Sequence, residues 1–66
     1  MNVTINGESR DLPGPMSVAD YLNSLGLDIE HVAVEHNRAI VPRADFTAVR
    51  IAEGDHLEII RFVGGG

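Results

Sequence analysis

The fold is decided by the last apolar stretch of the chain, His56-Leu57-Glu58-Ile59-Ile60-Arg61-Phe62-Val63. In an extended strand, successive side chains point to opposite faces, so this stretch divides into two sets. One face carries Leu57, Ile59, Arg61 and Val63, and the other carries His56, Glu58, Ile60 and Phe62. If Leu57 and Ile59 pack into a core, Ile60 and Phe62 point outwards.

Residues 2–12 predict a β-hairpin. Asn2-Val3-Thr4-Ile5 alternates polar and apolar residues, as a half-buried strand does. Asn6-Gly7 follows, and this pair favours a tight hairpin turn because both residues tolerate positive φ. The segment from Glu8 to Leu12 then returns as a second strand. We expect the core side chains of the hairpin to be Val3, Ile5 and Leu12.

A helix is predicted between Ser17 and Gly26. Ser17 is a favourable N-cap, and Asp20 three residues later resembles a capping box. Gly26 suits the left-handed conformation that ends many helices, which gives roughly ten residues of helix. The side chains that fall on one face at helical spacing are Val18, Tyr21, Leu22 and Leu25.

The middle of the chain predicts two further strands. The β-branched residues between Ile29 and Glu35 indicate a third strand, and Asn37-Arg38 a turn. Ala39-Ile40-Val41 indicates a short fourth strand, closed by Pro42 because proline cannot donate to a sheet ladder. Between residues 44 and 51, the spacing of Phe46 and Val49 favours a helical turn.

These elements give the order β-β-α-β-β-turn-β in a chain of 66 residues, which is one domain. The first and last strands are far apart in sequence and most simply pair in parallel at the centre of the sheet. One helix covers only one face of that sheet. We therefore predict an α+β, ubiquitin-like β-grasp fold for residues 1–66, with a mixed sheet of about five strands. Residues 64–66 are expected to form a flexible glycine tail.

Size and composition exclude several classes of function. A chain of this length buries too little surface to enclose its own active-site cavity of ~300 Å³. The net charge is −5, with five arginines and no lysine, so nucleic acid is an unfavourable partner and a basic protein a favourable one. No apolar run can span a membrane, and Met1-Asn2-Val3 begins as a strand without signal-peptide features. We expect a cytoplasmic protein.

No catalytic or metal-binding pattern is present. The three histidines, His31, His36 and His56, have neither ligand nor triad spacing, and we expect each to be an exposed or turn residue. There is no phosphate-binding loop, and no cysteine to act as a nucleophile. We therefore expect a protein that binds no metal or cofactor by itself and is not an enzyme.

The glycine end, Gly64-Gly65-Gly66, is the one segment that suggests chemistry. An inert end or a cloning remnant is one interpretation. The other is functional, because a segment without side chains can enter a narrow channel and reaches ~10 Å beyond the last strand. The Gly66 carboxylate is a poor acyl donor until it is adenylated, and this chain has no ATP site, so a partner must activate it. Without cysteine, any transferable sulfur would sit on Gly66 as a thiocarboxylate.

Outward-facing Ile60 and Phe62 suggest a docking patch near this end. Two other interpretations are a sheet face partly covered by the 44–51 segment, or scattered surface apolar residues.

Over its whole length the sequence resembles the ThiS family of sulfur carriers in thiamin thiazole biosynthesis. The resemblance lies in four segments: Val32-Ala33-Val34-Glu35-His36-Asn37, Ile40-Val41-Pro42-Arg43, Glu53-Gly54-Asp55 and Gly65-Gly66. It implies that a ThiF-like adenylyltransferase uses Mg-ATP to adenylate the Gly66 carboxylate. A cysteine desulfurase or other persulfide donor then supplies sulfur, directly or indirectly, and a ThiG-like thiazole synthase receives it. Gly65 and Gly64 give access, and Ile60, Phe62 and Arg61 help docking.

Three alternatives stay open at this point. A carrier resembling MoaD of molybdopterin synthase shares the fold and the glycine end, although such chains tend to be longer and lack the Ile-Val-Pro-Arg context. A ubiquitin-like modifier would share the chemistry up to the acyl-adenylate and then be attached to lysines of target proteins. A plain β-grasp binding module with an inert end would need none of this chemistry.

Overall fold

The computed structural model describes residues 1–62 of the chain. In chain order the elements are β1 (Asn2–Ile5), β2 (Glu8–Asp11), β3 (Met16–Ser17), α1 (Val18–Ser24), a first 3₁₀ helix (Ile29–His31), β4 (Val32–His36), β5 (Ala39–Ile40), a second 3₁₀ helix (Arg43–Asp45), β6 (Arg50–Ile51) and β7 (His56–Arg61). The predictions for Val63 and for the glycine tail Gly64–Gly66 lie outside these residues.

The main sheet has the strand order β2-β1-β7-β4-β5. β1 and β7 pair in parallel at its centre, with Ile5 opposite Leu57, and β4 pairs antiparallel with the other side of β7. Helix α1 contributes Val18, Ala19, Tyr21 and Leu22 to the core on one face of this sheet. The predicted β-grasp fold and its central parallel pair are therefore confirmed.

One hydrophobic core joins the sheet to the helix. The three hairpin residues predicted to face it are 1%, 6% and 7% exposed, namely Val3, Ile5 and Leu12. Each fully buried aliphatic side chain contributes roughly 1.5–3 kcal/mol to folding. The N-cap prediction is also confirmed, since Ser17 Oγ accepts a hydrogen bond of 3.0 Å from the Asp20 backbone N–H.

The helix is shorter than the sequence predicts, and one of the four residues predicted to share a helical face is exposed. α1 ends at Ser24, so Leu25 is the C-cap residue and Gly26 follows in the left-handed region at φ +73°. Because Leu25 lies beyond the last helical residue, its side chain leaves the buried stripe and is 50% exposed. The prediction that Leu25 continues the helical face of Val18, Tyr21 and Leu22 is therefore wrong.

The third predicted strand begins later than expected. Ile29–His31 form the first 3₁₀ helix, because the Asp28 carboxylate accepts a hydrogen bond of 3.0 Å from the Glu30 N–H and starts a helical turn. Only then does the chain extend into β4.

The 43–51 segment packs on the helix side of the sheet. Its helical turn is confirmed, with Val49 N–H donating to the Asp45 carbonyl at 2.9 Å and Phe46 only 2% exposed. The segment also holds β6, which pairs with β3 in a small second sheet that the sequence did not predict. Since backbone hydrogen bonds tie it to Val18 and Ala19 at the start of α1, it does not cover the opposite face of the main sheet. Within residues 1–62, no helix is long and apolar enough to cross a membrane.

Candidate functional site

The central strand β7 directs the chain toward its glycine end. It is held on both sides, by β1 and by β4, and its last described residue is fixed as well. The Phe62 N–H donates a hydrogen bond of 2.8 Å to the His31 carbonyl, just before β4 begins. The chain is therefore in a defined position up to Phe62. The predicted roles of Gly64, Gly65 and Gly66 lie beyond this point and stay predictions.

Of the three predicted docking residues, Ile60 lies on the outer face of the sheet, opposite α1, and Phe62 directly follows the last residue of β7. Ile60 is 53% exposed and Phe62 52% exposed, as strand alternation predicts. Ile60 stands opposite Ala33 in the register of β4 and β7. Their exposure agrees with a docking patch, while docking itself stays a prediction.

The structure adds Ile40 to this face. Its side chain is 78% exposed, the largest value among the exposed large apolar residues of the described chain. Ile40 stands opposite Glu35 on β4. Val32 and Val34 of the same strand face the core, so alternation places Glu35 and its partner Ile40 on the outer face. The sequence held the signal, because a buried Val41 implies an outward Ile40, but the residue was assigned only to a strand. We call Ile40, Ile60 and Phe62, together with the half-buried Ala33, the outer apolar patch.

Arg61 lies apart from this patch. It stands opposite the buried Val32 in the register, so its side chain leaves β7 on the α1 side. There it lines a surface hollow of about 370 Å³ with Asp28, His31 and Phe62. The structure therefore separates Arg61 from Ile60, with which it was grouped as a docking residue, and places the two on opposite faces.

Asp28 and His31 form an exposed pair beside Arg61. The His31 Nδ1 lies 2.8 Å from Asp28 Oδ2. The Glu30 N–H and the His31 ring both donate to the Asp28 carboxylate, and these hydrogen bonds hold its pKa below the ordinary value. Both side chains are more than half exposed, so the pair caps the first 3₁₀ helix and encloses no reaction site. His31 is exposed, as predicted.

His36 is not the exposed or turn residue that was predicted. It ends β4, its side chain is only 22% exposed, and its Nε2 lies 2.6 Å from Asp55 Oδ2. Partial burial raises the pKa of Asp55, but hydrogen bonds from His36, Ala52 and Asn37 outweigh it and leave the pKa below its ordinary value. Sequence reasoning missed this pair because its members are 19 residues apart.

The His36–Asp55 pair belongs to a clasp between the β4–β5 turn and the start of β7. Asn37 completes it: its Nδ2 donates to Asp55 Oδ1 at 3.2 Å, and its Oδ1 accepts from the His56 N–H at 2.9 Å. Every buried side-chain polar atom of residues 1–62 has a hydrogen-bond partner. The same residues contain no group of three or more His, Cys, Asp or Glu side chains placed to hold a metal ion.

The comparisons with known proteins agree with this architecture. The ThiS family model matches residues 3–66. The crystal structure of the thiamine biosynthesis protein ThiS from Geobacter metallireducens is 35% identical and superposes with a TM-score of 0.86 over all of both chains. The sulfur carrier protein ThiS of Bacillus subtilis is 36% identical over 50 residues, which are 76% of each chain.

A longer relative is also similar. The thiazole synthase of Paramagnetospirillum magneticum is 46% identical over all 66 residues of this chain. The chain spans only about a fifth of the length of that protein, since the match covers 20% of it. Family model, fold and relatives lead to one conclusion: the chain belongs to the ThiS family of small sulfur-carrier proteins of thiamin biosynthesis, which are not themselves enzymes.

Proposed function

We propose that this chain carries sulfur on Gly66 for the thiazole ring of thiamin, in the cytoplasm, as a protein cosubstrate. The observation that carries the proposal is the extent of the family match, which runs to Gly66 and includes the glycine end. It is supported by the ThiS structure from Geobacter metallireducens, which matches over the full length of both chains.

The chemistry follows from the carboxylate. The Gly66 carboxylate attacks the α-phosphorus of Mg-ATP on a ThiF-like adenylyltransferase, which gives an acyl-adenylate and releases pyrophosphate. The terminal sulfur of a persulfide, formed by a cysteine desulfurase or another donor, attacks the acyl carbon, and AMP leaves. A thiol then cleaves the remaining S–S bond, which releases the thiocarboxylate and leaves a disulfide. Gly64 and Gly65 offer no side chain that would obstruct entry into the partner's active site.

A ThiG-like thiazole synthase is the proposed acceptor of the sulfur. This is supported by the thiazole synthase of Paramagnetospirillum magneticum, one fifth of which is similar to this whole chain. When sulfur leaves for the thiazole ring, the Gly66 carboxylate is regenerated and the carrier can be used again. In this scheme the outer apolar patch docks a partner, and Arg61 is available for contact on the opposite face.

Intact-protein mass spectrometry tests the proposal. The chain is incubated with a ThiF-like enzyme, Mg-ATP and a persulfide source, and the expected mass gain equals the difference between one sulfur and one oxygen atom. The variant lacking Gly65 and Gly66 should show no gain. Gly14→Ala is the matched control, because a Cβ at Gly14 meets no atom within 4 Å. An unchanged wild-type mass with an enzyme that is active on another carrier contradicts the proposal, and an adduct on lysines of other proteins favours a modifier.

A further inference from the structure

Strand β2 forms one edge of the main sheet. It pairs with β1 and, within residues 1–62, has no strand on its other side. The strand contains no proline, which would block further pairing on that side. Its residues are all exposed, namely Glu8, Ser9, Arg10 and Asp11. An open edge of this kind can pair with another extended strand.

The hydrogen bonds of the hairpin identify which backbone groups of β2 are free. The Leu12 N–H donates to the Met1 carbonyl at 2.7 Å, and the Met1 amino group donates to the Leu12 carbonyl at 3.0 Å. Pairs that exchange both bonds in this way alternate along an antiparallel ladder, so Arg10 and Glu8 also bond to β1. The N–H and carbonyl of Ser9, which lies between them, therefore point away from β1.

The free side of β2 is complementary to itself in one antiparallel register. Residues opposite each other in such a ladder are either both bonded to one another or both not, so a twofold axis must place one residue of β2 opposite itself. If that residue is Glu8, Arg10 or Asp11, like charges face each other and weaken the pairing. If it is Ser9, each Glu8 faces Arg10 of the other copy, and the two Ser9 residues exchange two backbone hydrogen bonds. Only this register matches the charges and the free backbone groups together.

Glu8 and Arg10 lie on the α1 face of the sheet. They stand opposite Ile5 and Val3 of β1, whose side chains are in the core. In the free protein, Arg10 Nη2 lies 2.7 Å from Glu8 Oε1, and both side chains are more than half exposed. With Ser9 at the axis, each of these charges has one neighbour of opposite sign on its own strand and another on the second copy. The existing ion pair is kept, and two further pairs form between the copies.

A groove on the α1 face adjoins the same edge. It has a volume of about 680 Å³, and its lining includes Glu8 and Arg10 on the side of β2 and Leu25 and Leu27 on the side of α1. Leu25 is 50% exposed. The aliphatic stems of Glu8 and Arg10 from a second copy would stand beside this groove and cover part of its apolar lining. Pairing through β2 therefore removes apolar surface from water in addition to forming the charge pairs.

We propose that two copies of this chain associate through their β2 edges, antiparallel and with Ser9 at the twofold axis, into one sheet that runs through both. The second copy is the occupant because the charge pattern of the edge fits itself. Two strands of four residues make a small interface, so the dimer is weak and forms as the concentration rises. The proposal is independent of the function proposed above, since the outer apolar patch belongs to the β7-β4-β5 side of the sheet and stays uncovered.

Sedimentation equilibrium of the full chain tests the proposal. About 0.15 M salt screens the long-range repulsion between two chains of net charge −5 and screens direct ion pairs less. The weight-average mass should rise from that of one chain toward that of two as the concentration approaches about 1 mM. Glu8→Arg and Arg10→Glu should each lower the association constant roughly tenfold or more, because like charges then face each other between the copies. In an equimolar mixture of these two variants every Arg faces a Glu, so the mixture should associate roughly tenfold more tightly than either variant alone.

Two matched controls accompany the charge variants. Ser9→Pro removes the N–H that points away from β1 and should abolish association. Ser9→Ala should associate as the wild type does, because it also loses the hydrogen bond that the Ser9 hydroxyl accepts from Asn2 Nδ2 but keeps the N–H. Glu58→Arg makes the same change of charge as Glu8→Arg at an exposed position on β7, and it should not weaken association.

A wild type that stays monomeric overturns the proposal and leaves the edge to an extended segment of a different protein. A dimer that survives Glu8→Arg overturns it as well, because that dimer must form through another surface. If Ser9→Pro does not fold, the charge variants and their mixture decide alone.

Discussion

The His36 Nε2 lies 2.6 Å from the Asp55 Oδ2, which joins the end of β4 to the residue that precedes β7. Because a carboxylate only accepts hydrogen bonds, the proton lies on His36 Nε2. The same carboxylate accepts from the Ala52 N–H at 2.8 Å and from Asn37 Nδ2 at 3.2 Å. Asp55 therefore holds together three parts of the chain that meet at one end of the sheet.

Asp55→Asn should lower the free energy of unfolding by about 1–3 kcal/mol at neutral pH. The amide NH₂ of the new side chain cannot accept a hydrogen bond, so one of the groups that donate to the Asp55 carboxylate loses its acceptor. The pKa of Asp55 is lowered in the folded state, so its contribution is fully present above the unfolded value of 3.8 and is lost as the pH falls through the folded value. Urea denaturation of wild type and variant at several pH values measures this. The difference should narrow below pH 3.8.

The control is Asp45→Asn, an exposed carboxylate whose side chain makes no hydrogen bond within residues 1–62. Its effect on unfolding should be small and should vary little with pH. If Asp55→Asn behaves in the same way, the clasp does not stabilise the fold.

Arg38→Gly should stabilise the protein. Asn37 and Arg38 form the β4–β5 turn with φ values of 51° and 72°. Glycine adopts this left-handed region freely, whereas a residue with a Cβ is strained there, so the gain is expected to be about 1 kcal/mol. Chemical denaturation measures it. Arg38→Ala is the control, since it removes the guanidinium but keeps the Cβ; an equal gain from alanine would show that the side-chain charge, and not the backbone, is responsible.

Features that neighbouring residues determine were predicted correctly from the sequence, whereas contacts between residues far apart in the chain were not. The hairpin at Asn6-Gly7, the Ser17 cap and the alternation of β7 are set by neighbouring residues, and their patterns predicted them correctly. The β3–β6 pair and the His36–Asp55 pair bring together distant residues whose local sequences contain no signal for the contact. Among the site residues, Ile60 and Phe62 followed from alternation.

Arg43, the last residue of the Ile-Val-Pro-Arg segment, has a structural role. Its Nε donates to the Ile29 carbonyl at 3.1 Å, and its Nη2 to the Val32 carbonyl at 3.3 Å and the Glu30 carbonyl at 3.4 Å. The guanidinium thus ties the second 3₁₀ helix to the first and to the start of β4.

Arg43→Lys should lower the free energy of unfolding by about 1 kcal/mol, because a single ammonium cannot reach several carbonyls in the geometry of the guanidinium fork. Thermal unfolding measures the change. Arg50→Lys is the matched control, since no hydrogen bond of the Arg50 side chain is present within residues 1–62. Equal Tm values for the two variants would contradict a structural role for Arg43.

The outer apolar patch is tested by truncating side chains that are already exposed. Ile40→Ala and Ile60→Ala should each raise the KM for adenylation by roughly fivefold or more, because each removes an apolar contact that forms only in the complex. Their Tm values should stay close to that of the wild type, since the side chains are 78% and 53% exposed in the free protein. Leu25→Ala is the control: Leu25 is 50% exposed, but it follows α1 on the opposite side of the sheet. An equal rise in KM for Leu25→Ala would show that the partner does not distinguish the two faces, and no rise for Ile40→Ala and Ile60→Ala would exclude the patch as the docking surface.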